Sequence, residues 1–249
     1  MDDILTNFVD KILDLSLFQS EVINGRVYTN KPANLITTPL VAPLKTCSLT
    51  SIVDYIGSMA KSGGDAQDQK IIFIESPNKV SLRSPLDNEN QRQEFVSAYA
   101  KPCAFPFGQW VPTAKFIIDL QACFQDMGSK PDMLQYVGNL VAENIKTSTD
   151  DGVSQKAVVM QSAASKAVKT VPNPVELQPY RTFLEVEQPE SQFIFRLKFE
   201  DRTQEFHCGL WPADGDGWES TAIQHIRDWF LVDAIIAPLV DSGVIIILA

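Results

Sequence analysis

An α+β fold, with a mostly antiparallel sheet in the C-terminal half and helices packed on it, is what this sequence predicts. Three observations carry that reading. Leu184 and Val186, then Phe193, Phe195, Leu197 and Phe199, then Phe206, Cys208 and Leu210 alternate with other residues. A period of two is that of half-buried strands. Gln188-Pro189-Glu190-Ser191 and Glu200-Asp201-Arg202-Thr203 break the runs with turn-forming residues, so the whole reads as a three-stranded meander over about 174–210. Elsewhere strands and helices do not alternate regularly, which disfavours a doubly wound parallel sheet.

The elements follow in order. Ile4, Leu5, Phe8, Val9, Ile12 and Leu13 recur at helical spacing, predicting an amphipathic helix over 1–15. Asn24-Gly25 signals a turn before a short strand over 26–29. Residues 30–43 hold three prolines and little periodicity, and read as an extended loop. Ser48 is a suitable N-cap for a helix to about Lys61, with Gly63-Gly64 ending it and a polar tip over 65–69. The run Ile71 to Ile74 reads as a buried strand, paired as a hairpin with 79–83. Asn88 would cap a helix over 89–100. Helices are expected again from about Pro112 to Gln125 and from Pro131 to Ala142. Asp151-Gly152 is a hairpin signal, and the small polar stretch 161–169 reads as a mobile loop. A Gly/Asp loop over 211–218, a helix over 219–236 and a strand over 244–248 close the chain. The expected division is a helix-rich α+β lobe over 1–143 and an antiparallel β lobe over 144–249, which could also form one continuous domain.

The chain has 249 residues, 45% hydrophobic, with a formal net charge of −10. It is long enough to bury a sizeable core. The acidity argues against binding along a nucleic-acid backbone, which needs a basic footprint. The two longest apolar runs, 230–240 and 244–249, are too short or too interrupted to span a bilayer, so no membrane association is expected. The four cysteines have no Cys-x-x-Cys spacing and no secretory signal precedes them, so they are expected as reduced thiols.

Chemistry is constrained by what is scarce. Only His207 and His225 could serve a triad or an imidazole metal site. His207 and Cys208 are strand neighbours pointing to opposite faces, so they should not form a dyad. Ser58-Met59-Ala60-Lys61 matches Ser-x-x-Lys but lacks its companion motifs. No phosphate cradle is present, and Asp214-Gly215-Asp216-Gly217 lacks the later ligands of a calcium loop. No catalytic residue, metal site or cofactor is therefore expected. The residues singled out for a ligand or partner are Arg181, Arg196, Arg202, Asp214, Asp216, Trp218 and Trp110. Between Val171 and Ser220 there are ten Asp/Glu against four Lys/Arg. That excess reads as a solvated face or, more sharply, as a docking surface for a basic partner.

Several phrases together resemble the YfdQ-like family of phage and prophage proteins. They are Ser48 to Ile56; Glu75 to Val80; Phe107-Gly108-Gln109-Trp110 with Phe116-Ile117; Leu120-Gln121 with Phe124; Asp150 to Gln155; Pro179-Tyr180-Arg181-Thr182-Phe183 with Glu187-Gln188-Pro189; and Ala213-Asp214-Gly215 with Trp218. Asp216 departs from the family's Asp-Gly-Gly-x-Trp phrase. The resemblance implies a phage or prophage origin and expression in the host cytoplasm. It transfers no activity. The functional expectation is a non-enzymatic accessory protein that binds a host or phage protein. The alternatives are a sponge for a nucleotide signal, using Arg181, Arg196 and Arg202 at a subunit interface, and a self-associating homo-oligomer of the virion or its assembly. Carboxylate-only catalysis stays open.

Overall fold

The computed structural model describes residues 6–12, 20–23, 26–29, 39–61, 69–142, 148–150, 155–161, 165–170, 173–203 and 205–249. The chain divides into two compact units, Met1–Leu40 and Val41–Ala249. In the first, residues 6–12 are helical (α1), within the expected amphipathic segment. β1 (Ser20–Ile23) and β2 (Arg26–Thr29) pair antiparallel, with Ile23 opposite Arg26.

The second unit carries an α+β architecture with two cores. One sheet has the order β14-β4-β5-β6-β3. Its middle strands, β4 (Lys70–Ser76), β5 (Lys79–Arg83) and β6 (Glu94–Tyr99), are antiparallel. The outer strands β14 (Ile245–Leu248) and β3 (Leu44–Thr46) run parallel to β4 and β6. Ile72, Ile74, Val80, Leu82, Val96 and Ile245 make an aliphatic face. Three helices cover it: α2 (Thr50–Lys61) with Ile52, Val53 and Ile56, α5 (Trp218–Val232) with Ile226 and Phe230, and α6 (Ile236–Asp241) with Ile236. Each such side chain contributes about 1.5–3 kcal/mol on burial.

The other sheet has the order β11-β12-β13-β7. It comprises β11 (Val175–Leu177), β12 (Ser191–Glu200), β13 (Glu205–Pro212) and the two-residue β7 (Val111–Pro112), all antiparallel. The alternation read from the sequence holds in β12 and β13: Phe193, Phe195 and Leu197 face inward with Phe206, Cys208 and Leu210. They pack on α3 (Thr113–Cys123) and α4 (Lys130–Ala142) through Phe116, Leu120, Met133, Tyr136 and Val137. This core is aromatic. Phe107 stacks on Phe193 at 5.2 Å, and Phe105 meets Phe124 edge-on at 4.9 Å. The buried Lys130 closes the C-terminal end of α3 by donating from Nζ to the Phe124 carbonyl at 2.7 Å. A third sheet, β8 (Ser148–Asp150), β9 (Gln155–Gln161) and β10 (Ser165–Thr170), is an antiparallel meander.

Several expectations are corrected. Leu184 and Val186 do not lie in a strand. The first strand of the meander is β11, and 178–190 is a long irregular link. Leu184 is 75% exposed while Val186 is buried in the aliphatic core beside Phe183, so their alternation had another cause. The backbone groups there are satisfied by one side chain. Gln188 Oε1 accepts from the N–H groups of Arg181 (2.9 Å) and Thr182 (3.2 Å), and its Nε2 donates to the carbonyls of Phe183 (2.8 Å) and Val186 (3.2 Å). The segment 89–100 is not helical. Asp87 Oδ1 accepts from the N–H groups of Glu89 and Gln91, fixing a turn, and β6 follows. The loop expected over 161–169 is largely β10, paired residue for residue with β9.

Ser48 does not cap α2 by itself. Its hydroxyl donates to Glu185 Oε1 at 2.6 Å, which also accepts from Leu49 N–H at 2.9 Å. The helix expected over 219–236 breaks at Asp233, whose carboxylate accepts from the N–H groups of Ile235 and Ile236. Cys103 and Cys123 are joined in a disulfide, against the expectation of four thiols. Cys47 and Cys208 are free. The expected lobe boundary at 143/144 falls inside the second unit, whose two larger sheets each take strands from both sides of it.

Asn24-Gly25, residues 30–38, Gly63-Gly64, residues 65–68, Glu143 to Lys146 and residues 162–164 lie outside the described residues. So does Asp151-Gly152; on either side of the undescribed residues Asp150 pairs with Gln155.

Candidate functional site

The candidate residues are held where β12 begins and β13 ends. Register places Phe193 opposite Pro212 and Ile194 opposite Trp211, and Ala213 N–H donates to the Gln192 carbonyl at 2.9 Å. β13 therefore leads straight into the turn 214–217. That turn needs left-handed backbone, with φ +60° at Gly215 and +61° at Asp216. Glycine adopts such a conformation freely and aspartate tolerates it, so Asp216 is accommodated. α5 starts at once with Trp218.

Arg181 is the centre of the arrangement. It is 9% exposed, and its guanidinium carbon lies 4.3 Å from the centroid of Trp218, 5.4 Å from Phe193 and 5.8 Å from Phe107. A cation against ring faces is favoured electrostatically. Nη2 donates to the buried Ser191 hydroxyl. Burial pushes the guanidinium down to about 10, while Asp214, Asp216 and Glu219 pull it back up. It stays charged at neutral pH. Both carboxylate oxygens of Asp214 are buried without a hydrogen-bond partner among the described residues, as is Arg181 Nε. Their charges balance through space. A buried cation with aromatic walls and a nearby carboxylate anchors the 211–218 turn to the sheet.

Arg181, Asp214, Asp216 and Trp218 thus converge. Trp110 joins the same end from the loop before β7: it is 41% exposed and meets Trp211 edge-on at 4.9 Å. Arg196 and Arg202 do not converge with Arg181. Arg196 is further along β12 on the outward face, opposite Gly209, and Arg202 sits in the turn after Glu200 at the far end of the hairpin. β12 has ten residues, a span of about 30 Å at ~3.3 Å per residue.

Sequence reasoning had no means to find Gln188, Ser191 or Ile194 as parts of this site. Their roles depend on register and on a loop closing back on itself. Trp211 was visible as an aromatic, and the Gly108 and Gly209 beside it gave the signal of a ring lying on backbone. A Cβ on Gly209 would come within 2.5 Å of that ring.

The remaining chemistry is locked into structure. The buried Cys208 Sγ lies 3.9 Å from the Thr113 hydroxyl, and burial pushes its thiol up to about 12. That disfavours the nucleophilic thiolate. His225 Nδ1 lies 2.8 Å from the Glu187 carbonyl. Ser58 donates to the Tyr55 carbonyl of its own helix at 2.7 Å. Among the described residues no three His, Cys, Asp or Glu side chains are grouped to hold a metal ion, and no helix is long and apolar enough to cross a membrane. Comparison of the chain with protein-family models, with curated proteins and with solved structures found no match.

Proposed function

We propose that this is a phage-encoded accessory protein that acts in the host cytoplasm by binding a host or phage protein, without catalysing a reaction. One observation supports this most. Three of the phrases that carry the phage resemblance are far apart in sequence: Phe107 to Trp110, Arg181 with Gln188, and Asp214 with Trp218. They meet around one buried guanidinium. The polar groups there are used to hold shape, and the side chains left facing outward are a tryptophan and carboxylates. That is the composition of a contact surface, since aromatic anchors dominate protein interfaces. A nucleotide ligand has less support, because Arg196 and Arg202 lie along the hairpin away from Arg181, which is caged by its own chain in the link before it.

The test is affinity capture of the tagged full chain from phage-infected or prophage-induced cells, with light scattering of what elutes. A stoichiometric protein partner that exchanges on dilution supports the reading. Recovery of the bare chain with a turnover on a small molecule would overturn it. The same sample reports the compartment. The Cys103–Cys123 bond of this structure is one that a reducing cytoplasm opposes, so differential alkylation reads the compartment: free thiols at both positions support a cytoplasmic site of action. A fully oxidised pair would contradict a cytoplasmic site of action.

A further inference from the structure

We infer that the edge formed by Trp110, Trp211 and Ile194 binds a basic polypeptide segment bearing one apolar side chain, an assignment that rests on the protein-binding reading above. The apolar part is fixed in place. Ile194 and Trp211 are directly opposite on adjacent strands, so both face outward on the same side of the sheet. The Trp211 ring lies over Gly209 with Trp110 against its edge. Trp110 and Ile194 are exposed, 41% and 37%. An exposed Trp110 held against the half-buried Trp211 costs little entropy to immobilise, which is what an interface anchor requires.

Charge selects the occupant. Residues 186–194 and 211–219, which flank the patch, contain Glu187, Glu190, Asp214, Asp216 and Glu219 and no lysine or arginine. Glu187, Glu190, Asp216 and Glu219 are exposed, and none forms an ion pair among the described residues. Inside this end of the sheet Arg181 is caged, and its charge faces Asp214, Asp216 and Glu219. Five carboxylates set against one caged guanidinium leave a negative excess, which attracts a cationic partner and repels phosphate. The direction of binding follows as well. Further along the outward face lie Arg196 and then Lys198. The partner's lysines or arginines therefore belong over the 187–190 and 216–219 side, with its apolar residue on Trp110.

The experiment selects a random peptide library against the intact chain. It then measures the affinity of the enriched peptides for three proteins: the wild type, Trp110→Ala, and a neutralised variant carrying Glu187→Gln, Glu190→Gln, Asp216→Asn and Glu219→Gln. These positions are at least partly exposed, and asparagine tolerates the left-handed backbone at 216, so both variants should stay folded, if somewhat less stable, and a melting curve confirms that each is folded at the assay temperature. Enriched peptides should be net positive with one aliphatic or aromatic residue. Trp110→Ala should weaken them about thirtyfold. The neutralised variant should weaken them about tenfold and remove most of the salt dependence. Enrichment of neutral or acidic peptides, no enrichment, or basic peptides indifferent to both variants would overturn the inference. Binding of oligothymidylate that depends on Trp110 would also overturn it. If infected cells yield a partner whose affinity neither variant changes, this surface assignment fails while the protein-binding reading stands. If they yield none, that reading fails as well.

Discussion

The two cores of the second unit are built differently, and the proposed binding surface lies beside only one of them. The core under β4, β5 and β6 is aliphatic, and four charges on those strands pair with one another. Glu75 pairs with Lys79 at 2.8 Å and with Arg83 at 3.0 Å, and Arg83 also reaches Glu94 at 3.5 Å. The core under β11, β12 and β13 is aromatic, and a disulfide joins the loop at Cys103 to the end of α3. At its rim the carboxylates at 187, 190, 216 and 219 have no partner in an ion pair among the described residues. Matched charge is how a surface stays inert. Unmatched charge beside exposed tryptophan is how a surface recruits. The link 178–190 joins the two, placing Phe183 and Val186 in the aliphatic core and Arg181 in the aromatic one.

The sharpest way to break this comparison is to empty one core. Phe193→Ala removes a fully buried ring that stacks on Phe107 and faces Arg181. It should cost about 4 kcal/mol in urea unfolding. Amide exchange should show β11 to β13 opening before β4 and β5. Simultaneous opening of both sheets would mean that the cores are one cooperative body.

The link comes next. Gln188→Ala leaves two N–H groups and two carbonyls without their partner. Unsatisfied buried groups cost about 1–3 kcal/mol each, but the loop relaxes and water reaches some of the four, so the expected loss in a urea melt is about 3 kcal/mol. A loss under 1 kcal/mol would show that the loop holds itself without Gln188.

Glu185→Ala tests the aliphatic side alone. It removes the acceptor for Ser48 Oγ and Leu49 N–H at the start of α2. The expected loss is about 1 kcal/mol, with no change in binding at Trp110.

The smallest effect belongs to the closed charges. The hydrogen bond from Lys79 is the largest cause holding the Glu75 carboxyl below its usual pKa, against a smaller opposing effect of burial. A carboxyl depressed in the folded state stabilises above the unfolded pKa, and that stability is lost as pH falls through the folded one. The difference between wild type and Glu75→Gln should be about 0.5 kcal/mol at neutral pH. It should fade on acidification below the ordinary value of 4.5. A difference that grows with acid would reverse the sign of the argument.

What could be read from the sequence was local. Strict alternation placed β12 and β13, and helical stripes placed α2, α3, α4 and α5 within a few residues. Two errors share a cause. At 184–186 and at 89–100 a side chain, Gln188 or Asp87, took over backbone hydrogen bonds and overrode the apparent period. The parallel pairing of β14 with β4 joins residues from opposite ends of the unit, and no short-range pattern encodes such a partner. The disulfide was hidden for the same reason, since a separation of 20 residues is no signature. Four of the seven candidate residues were brought together around Arg181, with Trp110 at their edge. Arg196 and Arg202 were not, because strand direction was legible but the end of the hairpin each would occupy relative to Arg181 was not.

The most direct test of the account is hydrogen–deuterium exchange on the full chain, alone and with its captured partner at saturation. New protection confined to 107–110, 187–194 and 211–219 is the result predicted. Protection falling instead on 70–83, with the tryptophan edge unchanged, would contradict the central claim that the aromatic core presents the working surface.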